Sequence, residues 1–198
     1  MKENSKKYVY KLTLSAVFIA LATALSLIKI VKMPLGGSVT LLSMLPIVML
    51  SFMLGLRWGL VSAFVYSLIQ LALGIMLDGL LAWGLTPVML VGTITLDYVL
   101  AFSLLGVAGV FAKKGTKGVC LGVAFALILR FLCHFASGCI IFRELEQFEL
   151  FGRLFENRPI LYSLGYNGFY MLPEIVITVF VSAVILTRPV VKRMINSF

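Results

Sequence analysis

Leu127-Ile-Leu-Arg130-Phe-Leu-Cys-His134-Phe-Ala-Ser-Gly138-Cys-Ile-Ile-Phe142 is apolar enough to cross a bilayer, yet it carries a cation and the only histidine of the chain. Steps of four residues put Arg130, His134, Gly138 and Phe142 on one helical face. A guanidinium and an imidazole at membrane depth cost free energy unless they face a cavity or a partner, so the stripe reads as one wall of a functional site. The other segments are then read for what they can place opposite it.

Of the 198 residues, 61% are hydrophobic and 13% charged, and the mean hydropathy is +1.08. Soluble domains are usually about 45–50% apolar. This composition specifies an all-α integral membrane protein. At roughly 20 residues per span, the length allows six transmembrane helices in a single bundle, residues 1–198 forming one domain. The net charge of +9 could suggest nucleic acid, but the basic residues lie between apolar segments and report topology instead, so no nucleic-acid partner is expected. Cys120, Cys133 and Cys139 lie in or beside one apolar segment; an odd number there is no disulfide framework, and the spacing fits no metal site.

Taken in order, a basic start (Lys2, Lys6, Lys7, Lys11) precedes a first span over Leu12–Val31, whose full length argues against a cleaved leader. Ala16 and Ala20 form a small-xxx-small pair that lets another helix approach. Lys32–Ser38, with Pro34, Gly36 and Gly37, is a loop. A second span, Val39–Leu56, is short or kinked at Pro46. Arg57-Trp58-Gly59 reads as a tight interfacial turn. A third span covers Leu60–Met76, and Asp78–Pro87 is a loop containing Trp83. The fourth span, Val88–Phe111, holds Asp97 and Tyr98, and the fifth covers Val119–Phe142. Arg143–Arg158 is an acidic outer loop with room for a short helix. The sixth span, Pro159–Leu186, repeats Tyr162, Tyr166, Tyr170 and Glu174 every four residues, again on one face.

Six spans put both termini on one side. That side holds eleven basic residues (Lys2, Lys6, Lys7, Lys11, Arg57, Lys113, Lys114, Lys117, Arg188, Lys192, Arg193), and the other holds five (Lys29, Lys32, Arg143, Arg153, Arg158). Positive charge marks the cytoplasmic face, so both termini are expected there, in a multi-pass plasma-membrane protein.

Three spans thus offer polar groups at membrane depth: Asp97 and Tyr98; Arg130 and His134; Tyr162, Tyr166, Asn167, Tyr170 and Glu174. Aromatic faces with a carboxylate suit a flat, partly cationic organic ligand, and Asn and Tyr fix its orientation. Arg130 has the alternative of neutralising Asp97 or Glu174. No HExxH, GxSxG or metal-ligand spacing is present, which argues against an enzyme, and no P-loop is present, so energy for uptake must come from a partner or an ion gradient.

Lys32-Met-Pro-Leu-Gly-Gly-Ser38 with Met44-Leu-Pro-Ile47, Leu96-Asp-Tyr98, Leu129-Arg-Phe with His134-Phe and Gly138, and Tyr162-Ser-Leu with Asn167-Gly168 resemble, in this order, the thiamine-specific substrate-binding subunits (S components) of energy-coupling factor transporters of prokaryotes. The resemblance spans nearly the whole chain. It implies a six-helix subunit that binds thiamine near the outer face, without a cofactor or metal of its own, and docks on a transmembrane coupling subunit with two ATPase subunits. It places Ala16 and Ala20 at that docking surface and Asp97 at the aminopyrimidine. Tyr98, His134, Gly138, Tyr162 and Asn167 match pocket positions, with Tyr166 beside them. Phe142 stands where the family stacks a Trp. A second carboxylate that some members carry falls around Leu41 and is absent here, leaving the thiazolium charge without an assigned partner. Trp83 is a further pocket candidate, and Ser38 belongs to a loop implied to act as a lid. An S component for another heterocycle, a stand-alone ion-coupled carrier and a membrane enzyme are the competing readings.

Overall fold

The computed structural model describes residues 2–142, 149–150, 153–154, 158–186 and 188–189. Six apolar helical segments make up nearly all of it: α1 (Lys2–Leu27), α2 (Leu45–Leu54), α3 (Leu56–Met76), α4 (Pro87–Ala112), α5 (Gly115–Ile140) and α6 (Pro159–Leu186). Five of them are long and apolar enough to cross a membrane, and α2 is not. Ten residues at 1.5 Å rise reach about 15 Å, half of a hydrocarbon core.

The shortness of α2 has a local cause. Pro46 lies in its first turn, and Gly55 ends it with φ +85°, a backbone angle that favours glycine. The expected turn at Arg57–Gly59 is therefore displaced to Gly55. Trp58 sits in the first turn of α3, edge-on to Tyr8 at 5.4 Å and beneath the Lys11 ammonium at 6.0 Å. Nine of the ten α2 residues are buried, as expected of a helix that is hydrophobic all round. It is the centre of the bundle.

The first span also ends earlier than expected. α1 stops at Leu27, and Lys29–Lys32 (β1) pairs antiparallel with Ser38–Thr40 (β2). Lys29-Ile-Val-Lys32 is β-branched at its centre and suits an extended strand better than a helix end. The loop expected at Lys32–Ser38 is thus a hairpin with a 3-10 turn at Pro34–Gly36. The short helix allowed for in the acidic loop is not seen where the loop is described: Glu149–Leu150 (β3) pairs with Arg153–Leu154 (β4). Arg143, Glu144, Glu146 and Glu156, like Lys192 and Arg193, lie outside the described residues.

α4 is not a regular helix. It runs α-helical from Pro87 to Thr93, as a π-helix over Ile94–Leu100, and in tighter 3-10 turns from Leu104 onward. π segments insert extra residues per turn and recur at functional sites; this one carries Asp97 and Tyr98. Towards the Trp58 end, α2, α3 and α4 close on a seam of small residues. A Cβ on Gly106 would lie 2.6 Å from Leu60 Cα, and one on Gly59 would lie 2.7 Å from Ser51 Cα. Ser51 Oγ donates to the Gly106 carbonyl and accepts from the Gly109 amide at 2.9 Å. At the opposite end the helices leave space.

Candidate functional site

That space is a chamber walled by α3–α6 and roofed by the β1–β2 hairpin and the 77–86 loop. Both four-residue stripes face it. Arg130, His134 and Gly138 line it from α5 with Phe142 just beyond that helix, and Tyr162, Tyr166, Tyr170 and Glu174 line it from α6. Asp97 and Tyr98 from α4, Asn167 from α6, Trp83 from the 77–86 loop and Ser38 from β2 complete the set. All ten residues expected to meet a ligand are therefore brought to one cavity.

A hydrogen-bond network fixes its inner wall. Asp97 Oδ1 lies 2.8 Å from His134 Nδ1, and Oδ2 accepts from Ser137 Oγ. Arg130 Nε donates to His134 Nε2 at 3.2 Å. A guanidinium only donates, so Nε2 is the acceptor and the proton of a neutral imidazole sits on Nδ1, pointing at Asp97. Among the described residues Arg130 makes no direct ion pair with Asp97 or Glu174. The reason is local. Asp97 is held by His134 and Ser137, and Glu174 Oε1 accepts both the amide and, at 2.8 Å, the hydroxyl of Thr40. Arg130 instead places its guanidinium 4.1 Å from the Phe102 ring centroid and donates through Nη1 to Met44 Sδ.

Asn167 is a joint between helices as well as part of the wall. Its Nδ2 donates to the carbonyls of His134 (3.2 Å) and Ser163 (3.0 Å), and its Oδ1 accepts from Tyr170 Oη at 2.9 Å. Gly138 allows this contact, because a Cβ there would overlap the Ser163 hydroxyl. Gly74 plays the same part for Tyr98, whose ring fills the place of a Cβ and stacks on Phe102 at 6.5 Å.

Aromatic rings form the remaining walls. Tyr162 stacks on Tyr166 at 5.7 Å, Tyr166 meets Tyr170 edge-on at 5.9 Å, and Tyr170 meets His134 edge-on at 6.0 Å. Trp83 and Phe142 are 6.4 Å apart at 57°. The hairpin rests on these rings: Tyr166 Oη donates to the Pro34 carbonyl and accepts from the Gly37 amide at 3.3 Å. A Cβ on Gly36 would lie 2.9 Å from the Trp83 ring.

Sequence reasoning missed several lining residues. Gln70 donates to Ser26 Oγ at 2.9 Å, and Lys29 pairs with Asp78 at 2.5 Å. Lys29 interrupting an apolar run was the available signal; its partner 49 residues away was not. Ala16 and Ala20 lie elsewhere, exposed on the outer face of α1. No group of three potential metal ligands occurs among the described residues.

Apolar helices around a polar and aromatic chamber define a multi-pass membrane protein with the architecture of a membrane transporter. Residues 12–193 match the family described as "Thiamine transporter protein (Thia_YuaJ)". The chain is 31% identical to the thiamine transporter ThiT of Bacillus subtilis over 189 aligned positions, covering 88% of each protein. The solved structure of ThiT from Listeria monocytogenes shares the fold, with a TM-score of 0.72 over 96% of this chain and 98% of that one at 19% identity. The chain belongs to the thiamine transporter family and is a multi-pass cell-membrane protein of a bacterium.

Proposed function

We propose that this chain is the substrate-capture subunit of an ATP-driven vitamin importer, binding thiamine in the chamber at its outer end and delivering it with a shared coupling module. Family membership supports the vitamin, and the Asp97–His134–Arg130 network supports the site. Thiamine joins an aminopyrimidine to a cationic thiazolium. In this reading Asp97 accepts from the amino group, since each carboxylate oxygen keeps a lone pair beyond its present bond. Arg130 keeps guanidinium N–H groups that can donate to a ring nitrogen. Trp83, Tyr98, Phe142 and Tyr162 supply aromatic faces for the rings. The Ser38 hairpin, resting on Tyr166 and Trp83, serves as the lid.

The rest of the reading concerns delivery. The basic bias puts the Trp58 end and both termini in the cytoplasm and the chamber towards the outside. The chain acts as a single domain and carries no P-loop, and the resemblance to S components implies that two partner ATPases hydrolyse the ATP. The exposed Ala16 and Ala20 of α1 receive the transmembrane coupling subunit. Converting both alanines to Trp is expected to leave thiamine binding in detergent unchanged and to abolish uptake by the assembled transporter. Uptake that survives overturns the docking role. Mass spectrometry of the small molecule that copurifies with the unmodified protein is expected to give thiamine, and another heterocycle there overturns the substrate.

A further inference from the structure

The chamber holds a further charged pair, Lys29 and Asp78, with no role in the thiamine site proposed so far. Asp78, in the 77–86 loop, has a side chain only 13% exposed. Lys29 Nζ lies 2.5 Å from its Oδ1, and Lys32 Nζ lies 3.6 Å from the same oxygen. Among the described residues Oδ2 makes no hydrogen bond or ion pair. Lys29 and Asp78 both line the chamber, whereas the Lys32 side chain is 59% exposed and does not. Trp83 Nε1 donates to the Asp78 carbonyl at 3.0 Å, which holds the loop and its carboxylate beside the indole. Next to them, the same Gly36 that backs onto Trp83 lies close to the Tyr98 hydroxyl.

The chamber therefore has three carboxylates on different elements with different partners, and Glu174 is held by the amide and hydroxyl of Thr40. Asp97 is locked by His134 and Ser137, both neutral donors fixed on α5. Asp78 is matched by an ammonium on a long aliphatic stem, 22% exposed. At 22% and 13% side-chain exposure the pair is largely out of water, where the carboxylate is costly to leave without a cation. Its attraction passes to whichever cation lies closer. A delocalised ring cation loses less hydration than an ammonium and gains from the faces of Trp83 and Tyr98 as well. We propose that Asp78 is the counter-charge for the cationic ring of the ligand, and that Lys29 is the resident cation which this ring displaces.

The proposal rests on the chamber being the thiamine site and adds which group meets the thiazolium. A purely mechanical alternative exists on the same geometry, since Lys29 on β1 and Asp78 in the 77–86 loop also tie two loops together. The two roles differ in sign. A tether is lost from either side, whereas a displaced competitor and its target act in opposite directions.

The test is calorimetric titration of the full chain in detergent with two probes: thiamine, and the neutral 4-amino-5-hydroxymethyl-2-methylpyrimidine, which carries only the other ring. Asp78→Asn is expected to weaken thiamine about tenfold, the scale of one charged contact, with the pyrimidine alcohol held within about twofold. Lys29→Met is expected to tighten thiamine about threefold, the scale of a partly exposed ion pair. Retained binding of the neutral probe shows that each variant is folded. Both variants weakening both probes alike overturns the proposal in favour of a tether, and unchanged thiamine affinity in Asp78→Asn overturns it outright. If the unmodified protein binds neither probe, the reading of the chamber falls, and the Asp78 assignment with it.

Discussion

The two ends of the bundle use glycine for opposite purposes. At the Trp58 end, Gly59, Gly106, Gly109 and Gly122 each leave room for backbone or for a helix-bound serine: Cβ atoms there would collide with Ser51, Leu60 or the Ala108 carbonyl. The helices touch directly, and nothing else fits. At the chamber end, Gly36, Gly37, Gly74 and Gly138 leave room for functional side chains: the Trp83 ring, Tyr166 and Tyr170, Tyr98, and Ser163. One end is closed so that the other can stay open. Lipid tails are as apolar as leucine, so close backbone contact rather than the hydrophobic effect must hold membrane helices together. The dry seam supplies that contact, and the chamber walls are suspended from it.

If this division holds, changes at the two ends separate stability from binding. The largest effect is expected at the seam. Gly106→Leu forces a side chain into the α3 backbone and should cost about 3 kcal/mol or more, lowering the melting temperature in detergent by on the order of 10 °C. A melt within a few degrees of the unmodified protein would break the contrast. Next come the chamber residues. Asp97→Asn and His134→Ala should each weaken thiamine binding by about tenfold or more, the scale of a lost charged hydrogen bond, with a smaller change in melting temperature. Unchanged titrations in both variants would remove the Asp97 network from the site. The smallest effect is a gain. Phe142→Trp enlarges the ring facing Trp83 and should tighten binding by about 0.5–1 kcal/mol through a stronger cation–π face, readable by calorimetry.

Much of the chamber is legible in the sequence because helical periodicity and the cost of burying charge act together. Arg130, His134 and Gly138 on α5 with Phe142 just beyond it, and Tyr162, Tyr166, Tyr170 and Glu174 on α6, could be read as facing stripes before any coordinates, and each lines the cavity. What periodicity cannot carry is missing from that reading. The turn expected at Arg57–Gly59 sits at Gly55, since a single left-handed glycine leaves no repeating pattern. Lys29-Ile-Val-Lys32 continues the apolar run of the first span without a Pro or Gly break, yet pairs as a strand with a segment that follows the Pro34–Gly36 turn. The π segment under Asp97 and Tyr98 looks like any apolar helix in one dimension. The Lys29–Asp78 pair joins two loops 49 residues apart, and only the fold brings them together.

The protein has two tryptophans, one at each end: Trp58 against Tyr8 in the closed end, and Trp83 in the chamber roof. Titrating thiamine into Trp58→Phe and Trp83→Phe variants and following intrinsic fluorescence therefore asks directly which end takes the vitamin. Saturable quenching in Trp58→Phe, where only Trp83 emits, and none in Trp83→Phe is the expected result. Quenching confined to Trp83→Phe, or no saturable change in either variant, would contradict a thiamine site in the chamber.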